Sequence, residues 1–521
     1  MLDFFSSSAV FICFDLFSGV KSFILCIVCA GKMSMGPTQC DEVTEVVCLE
    51  SDLQDGQMKE VEVNHHKIVL VRNEGKFSAV GGLCTHYGAP LIKGALVGNR
   101  VRCPWHGACF NTTTGDIEEY PGLDSLPTYK VCLKMGCISS CPMFMCLWCS
   151  TGPASLQCAE TLRQNNYGGR IIIVTKDEQL PLDKTKLSKV RMTQISVEKI
   201  LLRPSDFLQQ HGIEVLKEKE VSKKKETFTG QARAMQCPGA EMENVKLLES
   251  YKDAAGIYQM SLGKKAVIIG TSFIGMEVAA YLSDKAASVA VVGKSKFPYQ
   301  FSLGPDIGKM TMKMLEEKNV KFYMSSDVAE MRGVKGRVKE IVLQNGDVLP
   351  ADVVIVGIGV IPNSHFLKGS AVEVDSRNAV VVDKFMKTNI PDVFAAGDVA
   401  SFPLCIREDK RVQIGHWQLA QAHGRVAALN MLNKQTELNS VPFFWTVLLG
   451  KSIRYTGYGE GYTDIVFKGN VDERKFLAFY MKGDDVVAAA SLNFDPAVAK
   501  VAEIMATGKK ITKSQWSTGT V

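Results

Sequence analysis

The sequence predicts a multidomain chain in which an all-β module is followed by an α/β unit of two related halves and then by a C-terminal α+β domain. Three observations predict it. The 521 residues exceed what one hydrophobic core supports, which calls for about three or four domains. Short β-branched segments bounded by turn formers follow one another from Thr44 to Val80. After Tyr167, continuous apolar runs alternate with helical stretches, the mark of parallel strands covered on both faces. A hydrophobic fraction of 46% and a charged fraction of 22% are those of an ordinary globular chain. The net charge of +5 creates no strong field toward nucleic acid, and no nucleic-acid partner is expected.

The elements follow in order. Residues 1–40 read as an N-terminal extension, apolar and rich in Phe and Cys, with Met33 or Met35 as alternative starts. Asp15 and Lys21 divide it into runs of about ten residues, too short to span a bilayer cleanly, and no basic n-region precedes it. A poorly ordered extension is expected, with membrane association through residues 1–30 as the competing reading. The β module occupies 41–135, with strands at 59–63, 68–72 and 76–80 and a turn at 73–75. In 145–260 an apolar run through Leu147 and Trp148 meets a Gly152-containing turn and a helix bearing Ser155, and a strand follows at 170–174. Segment 261–379 repeats this pattern with apolar runs at 266–270, 289–292 and 353–357 and a helix over 274–283. Segment 380–435 returns to the first half, and 436–521 carries strands at 474–480 and 486–492 and a helix with Asp495 at its N-cap, Pro496 at N1 and Gly508 past its end.

The sixteen cysteines are too sparse for a disulfide-stapled scaffold, yet six lie between Cys132 and Cys158. An apolar linker is the default reading of that clump. A redox dithiol from Cys146 and Cys149, or a second metal site from Cys132, Cys137 and Cys141, are the sharper ones.

Cys84-Thr85-His86 and Cys103-Pro104-Trp105-His106 present two thiolates and two imidazoles with sixteen residues between His86 and Cys103. Two thiolates on one iron and two imidazoles on the other make a Rieske 2Fe-2S centre; the same spacing leaves open a mononuclear zinc site or four unrelated residues. The wider passage, Cys84-Thr-His-Tyr-Gly-Ala-Pro-Leu91, Cys103-Pro-Trp-His-Gly-Ala-Cys-Phe110 and Tyr120-Pro-Gly-Leu123, resembles Rieske ferredoxins. High-potential members of that family carry a bracing disulfide where Ala89 and Trp105 stand here, so the resemblance implies the lower-potential type. Cys109 reads as a small buried residue, and His65 and His66 as surface residues.

Two passages suit nucleotides. Lys265-Ala-Val-Ile-Ile-Gly270-Thr-Ser-Phe-Ile-Gly275-Met-Glu277 is a strand, a glycine turn and a helix start, with Ser272 where the middle glycine of a dinucleotide fingerprint stands. The next strand ends Val292-Gly293-Lys294-Ser295-Lys296, where an NAD-selective site places an acid; glycine and lysines there suit a 2′-phosphate and predict tolerance of NADPH. The second passage is Ser150-Thr-Gly152-Pro-Ala-Ser155, supported by the cations around Lys184 and Lys189, by Gly357-Ile-Gly359, and by Val393-Phe-Ala-Ala-Gly397-Asp398.

Together these resemble the two-dinucleotide-domain flavoprotein reductases, and with the Rieske module in front the chain is similar to the Rieske-containing relatives of apoptosis-inducing factor from about residue 44 to 510. Ile414-Gly-His416-Trp417-Gln418 and Pro442-Phe-Phe-Trp445 match the segments flanking the isoalloxazine there. The resemblance implies FAD, NAD(P)H and a Rieske cluster as cofactors, with Glu277 at the nicotinamide amide, Lys184 and Lys189 on FAD and Asp398 on its ribityl chain. It implies an oxidoreductase that passes electrons from NAD(P)H through FAD to the cluster and on to an unknown acceptor, in the cytoplasm or mitochondria, with a link to apoptosis. The alternatives are a degenerate flavoprotein acting in cell-death signalling with little turnover, and a Rieske ferredoxin fused to an empty scaffold.

Two departures stand out. The family strand reading like Tyr-Asp-x-Leu-Leu-Ile-Ala-Thr-Gly, which completes the FAD sheet, has no counterpart in 217–236, and 132–148 is shorter than the family's linker. The acid expected near Lys176 is replaced by Asp177 or Glu178. Weakened FAD binding is the expected consequence.

Overall fold

The computed structural model describes residues 9–14, 53–63, 66–129, 145–149, 152–175, 177–188, 196–218, 231–513 and 515. The readings placed on Cys132, Cys137, Cys141, Ser150, Lys176, Lys189 and His65, and on most of 217–236, lie outside these residues. Among the described residues no helix is long and apolar enough to cross a membrane.

The β module comprises two antiparallel sheets. Gln57–Val63, His66–Asn73, Lys76–Gly81 and Thr128–Tyr129 form one. Asn73 pairs with Lys76 across Glu74 and Gly75, both at positive φ, the two-residue turn that a twisted hairpin needs. Ala95–Val97, Arg100–Arg102, Cys109–Asn111 and Ile117–Glu119 form the other. Val69, Val71, Val80, Leu91, Val101 and Phe110 share one buried cluster.

The second α/β half is the more regular. Val245–Leu247, Val353–Val356, Lys265–Ile269, Ser288–Gly293 and Lys321–Met324 lie side by side, all parallel. Their near-continuous burial explains why they read as unbroken apolar runs. The helix Phe273–Leu282 covers the sheet and starts one residue before the expected position.

The first α/β half holds a strand that sequence reasoning did not foresee. Its sheet runs Ile213–Leu216, Arg170–Val174, Met145–Cys149, Ala9–Phe14, Val393–Ala396. Ala9–Phe14 pairs antiparallel with both neighbours, Phe11 opposite Trp148 on one side and Phe394 on the other. It thereby lies between two mutually parallel strands. Residues 9–14 are therefore a central strand and not a poorly ordered extension, because the backbone edges of 145–149 and 393–396 need partners. Of 217–236, Gln231–Ala232 forms a two-residue pairing with Val360–Ile361 in the other half. The helices Pro153–Gln164 and Trp417–Met431 pack tightly together: a Cβ on Gly424 would lie 2.1 Å from the Ala154 carbonyl oxygen.

The C-terminal domain is a five-stranded antiparallel sheet from Phe443–Leu448 to Asp485–Leu492, covered by the helix Ala497–Ala506. Asp495 does not cap that helix. Pro496 takes the N-cap position, and the Asp495 carboxylate pairs with Arg454 at 2.9 Å.

Candidate redox site and its nucleotide pockets

Two short loops with one hydrogen-bond pattern build the first centre. Cys84 N–H donates to the Ala89 carbonyl and Gly88 N–H to the Cys84 carbonyl (2.9 and 2.8 Å); Cys103 N–H donates to Ala108 and Gly107 N–H to Cys103 (2.7 and 3.2 Å). Gly88 and Gly107 sit at φ of 73° and 78°, the left-handed conformation that closes each loop and favours glycine. Cys84 and Cys103 are buried and hydrogen-bonded to each other, and the Nδ1 atoms of His86 and His106 approach to 3.1 Å. Among the described residues no three His, Cys, Asp or Glu side chains gather about one point. The four donors stand as a thiol pair and an imidazole pair, the division that a 2Fe-2S cluster with mixed ligation uses. The hydrogen bond from Cys84, with help from the His106 and Trp105 backbone N–H groups, outweighs burial and holds the Cys103 thiol below its usual pKa. Burial lowers His86 to about 4, so its ring is neutral and able to ligate. The donors fit the cluster.

The β module is locked onto the rest of the chain at this edge. The Trp445 ring lies 4.2 Å from the His106 ring and 5.8 Å from that of His86, centroid to centroid. A Cβ on Gly107 would strike the Phe443 ring at 2.4 Å. The Tyr87 hydroxyl donates to Asp183, and Arg454 Nε donates to the Trp105 carbonyl at 2.9 Å. Behind the loops Arg102, fully buried, donates to Glu503 and to the Gly107 carbonyl, and Glu119 lies 3.1 Å from its other end. Cys109 is buried beside the same carboxylate. Sequence reasoning missed Tyr87, Asp183, Arg102 and Glu503. Each acts through a partner distant in the chain, so none carries a local signal.

On the far side of Trp445 stands His416, its ring 6.2 Å away, as N-cap of the helix that Trp417 begins. Asp398 is buried in the single 3-10 turn after Val393–Ala396, and Gly397 N–H donates to His423 Nδ1 at 3.1 Å. Gly152 is the N-cap of Pro153–Gln164, and Ser155 in the first turn keeps a buried Oγ with no partner among the described residues; Gln418 Nε2 is in the same condition. Unsatisfied buried polar atoms beside a helix N-terminus fit a pyrophosphate-bearing dinucleotide. Lys184 is buried and 3.5 Å from Asp177, whereas Glu178 pairs with Lys252. Of the two stand-ins for the missing acid, Asp177 is the one near this site.

In the second half, Gly270, Gly275 and Gly357 permit contacts that no side chain would. A Cβ on Gly270 would lie 2.1 Å from the Gly357 carbonyl oxygen, and one on Gly275 2.0 Å from that of Gly270. Gly359 has a φ of 107° and accepts from Arg233 N–H at 2.7 Å. A cavity of about 410 Å³ opens above this turn, lined by Gly270, Ser272, Gly293, Lys294, Ser326 and Gly357 among others. Its size and glycine floor fit a nicotinamide dinucleotide. Glu277 does not line that cavity; it is buried deeper, accepting hydrogen bonds from Ser188 and Thr446.

The model for the Rieske [2Fe-2S] domain matches residues 44–130, that for pyridine nucleotide-disulphide oxidoreductases 151–424, and that for the reductase C-terminal domain 443–519. The chain is 44% identical to human (Homo sapiens) apoptosis-inducing factor 3 over 92% of its own length and 86% of that protein's. It is 27% identical to rhodocoxin reductase of Rhodococcus erythropolis over 70% of this chain and 90% of that one. A solved ferredoxin reductase from Rhodopseudomonas palustris superposes with a TM-score of 0.67 at 25% identity, over 71% of this chain and 96% of that one. The chain therefore belongs to the pyridine nucleotide-disulphide oxidoreductase family, together with apoptosis-inducing factor 3, and is an oxidoreductase acting on NAD(P)H with a Rieske 2Fe-2S cluster and FAD as its cofactors.

Proposed function

We propose that the chain carries electrons from NAD(P)H through FAD to its own Rieske cluster and from there to an external one-electron acceptor. Flavin chemistry supplies the conversion of a two-electron hydride donor into single electrons. The chain's residues bind and orient. Gly270, Gly275, Gly357 and Gly359 give the nicotinamide dinucleotide room, and Glu277, fixed by Ser188 and Thr446, sets the nicotinamide side. Gly152, Ser155, Lys184 and Lys189 serve the FAD phosphates, and Asp398 takes a ribityl hydroxyl. His416, Trp417 and Trp445 wall the isoalloxazine. Cys84, Cys103, His86 and His106 hold the cluster.

The observation that carries this reading is Trp445, in ring contact with His106 and within 6.2 Å of His416, so that one side chain joins the two redox positions. Both centres on one chain also raise each other's effective concentration to about the millimolar range. Anaerobic absorption and EPR spectra of purified chain test it. Flavin bands together with a Rieske signal that appears on adding NADH or NADPH are expected. Both centres present but not reduced would favour the second reading, a cell-death signalling protein with little turnover, which draws on the name of the relatives and on the altered FAD fingerprint. A Rieske signal without flavin would sink both.

A further inference from the structure

The dinucleotide cavity shows how the adenosine end of its ligand is read, and on that basis we propose that this chain selects NADPH at least as well as NADH, with Lys294 and Ser326 receiving the 2′-phosphate. This rests on the nucleotide site of the reading above and goes further in naming the ligand. An NAD-selective site ends its second strand with a carboxylate that accepts from the ribose 2′-hydroxyl and repels a 2′-phosphate. Here that strand ends at Gly293, and the glycine is enforced by packing: a Cβ would lie 2.5 Å from Thr271. No acidic side chain fits at that position while Thr271 holds its place.

What surrounds the vacated position suits an anion. Lys294, next in the chain, lines the cavity with its side chain 78% exposed. Ser326 is held against Gly293 by its own backbone, its N–H donating to the Gly293 carbonyl at 3.0 Å. Its Oγ is buried with no hydrogen-bond partner among the described residues. A buried, unmatched hydroxyl beside a largely exposed ammonium is what a phosphate oxygen satisfies. Arg233 lines the same cavity and adds positive charge. The opposing group is Asp327, whose carboxylate lies 2.8 Å from Lys294 Nζ and also lines the cavity. The lysine side of this pair is open to solvent although Asp327 is only 23% exposed, and a dianionic phosphate competes with the single carboxylate for it. Asp327 then sets the upper limit on the preference.

The test uses the full chain and a binding readout that needs no turnover. Titration calorimetry at fixed ionic strength compares 5′-AMP with 2′,5′-ADP, which differ by the 2′-phosphate alone. The expected result is 2′,5′-ADP binding at least as tightly as 5′-AMP. The ratio of the two affinities falls about tenfold in Lys294→Ala and rises in Asp327→Asn. 5′-AMP bound about tenfold more tightly than 2′,5′-ADP overturns the proposal and leaves the reductase reading standing. A ratio unmoved by Lys294→Ala overturns it in the same way. Failure of both nucleotides to bind removes the nucleotide site itself, and the proposal falls with the reading it rests on.

Discussion

Trp445 touches both imidazoles of the Rieske loops and faces His416. If electrons pass this way, Trp445→Ala slows reduction of the cluster by about tenfold or more while bleaching of the flavin by NAD(P)H keeps its rate. Stopped-flow absorption resolves the two events, and equal slowing of both would contradict the route. Glu503 presents a different case. Its side chain is 1% exposed, and Arg102, fully buried, depends on it. Glu503→Ala leaves a buried guanidinium short of its counter-charge, a loss of about 3–5 kcal/mol that a denaturant midpoint reads directly. A change under about 1 kcal/mol would show that Glu119 alone satisfies the arginine. The paired cysteines and histidines of the two loops and the cavity glycines were legible in the sequence because each is defined by local requirements, a donor at fixed spacing or a backbone with no room for Cβ. Arg102 and Glu503 were not, since a buried ion pair looks in sequence like two surface charges. Asp495 misled: a good helix cap locally, it is taken by Arg454 across the fold.

At the scale of elements, the parallel runs of the second α/β half announced themselves through unbroken apolar residues. The Rieske strands did so through alternation and turns. The Ala9–Phe14 strand did not, because its place in the sheet is fixed by partners at 145–149 and 393–396 and not by its own composition. Deleting residues 1–32 uncovers both neighbouring backbone edges beside Asp398 and Gly152, and is expected to lower the flavin content of purified protein as well as Tm. Each kcal/mol lost at this size corresponds to about 2–4 °C. Val10→Pro, which removes a ladder donor without truncation, is expected to do the same in smaller measure. Unchanged flavin stoichiometry in both variants would show that the sheet closes without this strand.

For the whole molecule, the decisive fact is that the β module is fastened to the reductase by Tyr87, Arg100, Arg102 and Arg454, with its two imidazoles turned inward to Trp445. On the proposed route cluster reduction is an internal event, and its rate is expected to stay constant across a tenfold dilution; proportionality to protein concentration would mean transfer between molecules. The fastening also responds to acid. Burial raises the Glu503 carboxyl, but Arg102 and Arg100 outweigh burial and hold it below the usual value. A depressed carboxyl contributes stability that is present above its unfolded pKa of about 4.3 and lost as pH falls through the lower folded value. Small-angle scattering is expected to show one compact shape near neutrality and release of the β module below about pH 4. A shape unchanged at that pH would place the fastening elsewhere.

The strand at Ala9–Phe14 also orders the protein's maturation. It is made before its partners at 145–149 and 393–396, which follow only after the Rieske module, and in the second case after both nucleotide turns, have been made. The Rieske loops, complete by Tyr129, are ready for iron and sulfide while the flavin sheet still lacks an edge. Cluster insertion can thus precede flavin capture on a chain still being translated, and residues 9–14 wait for partners made much later.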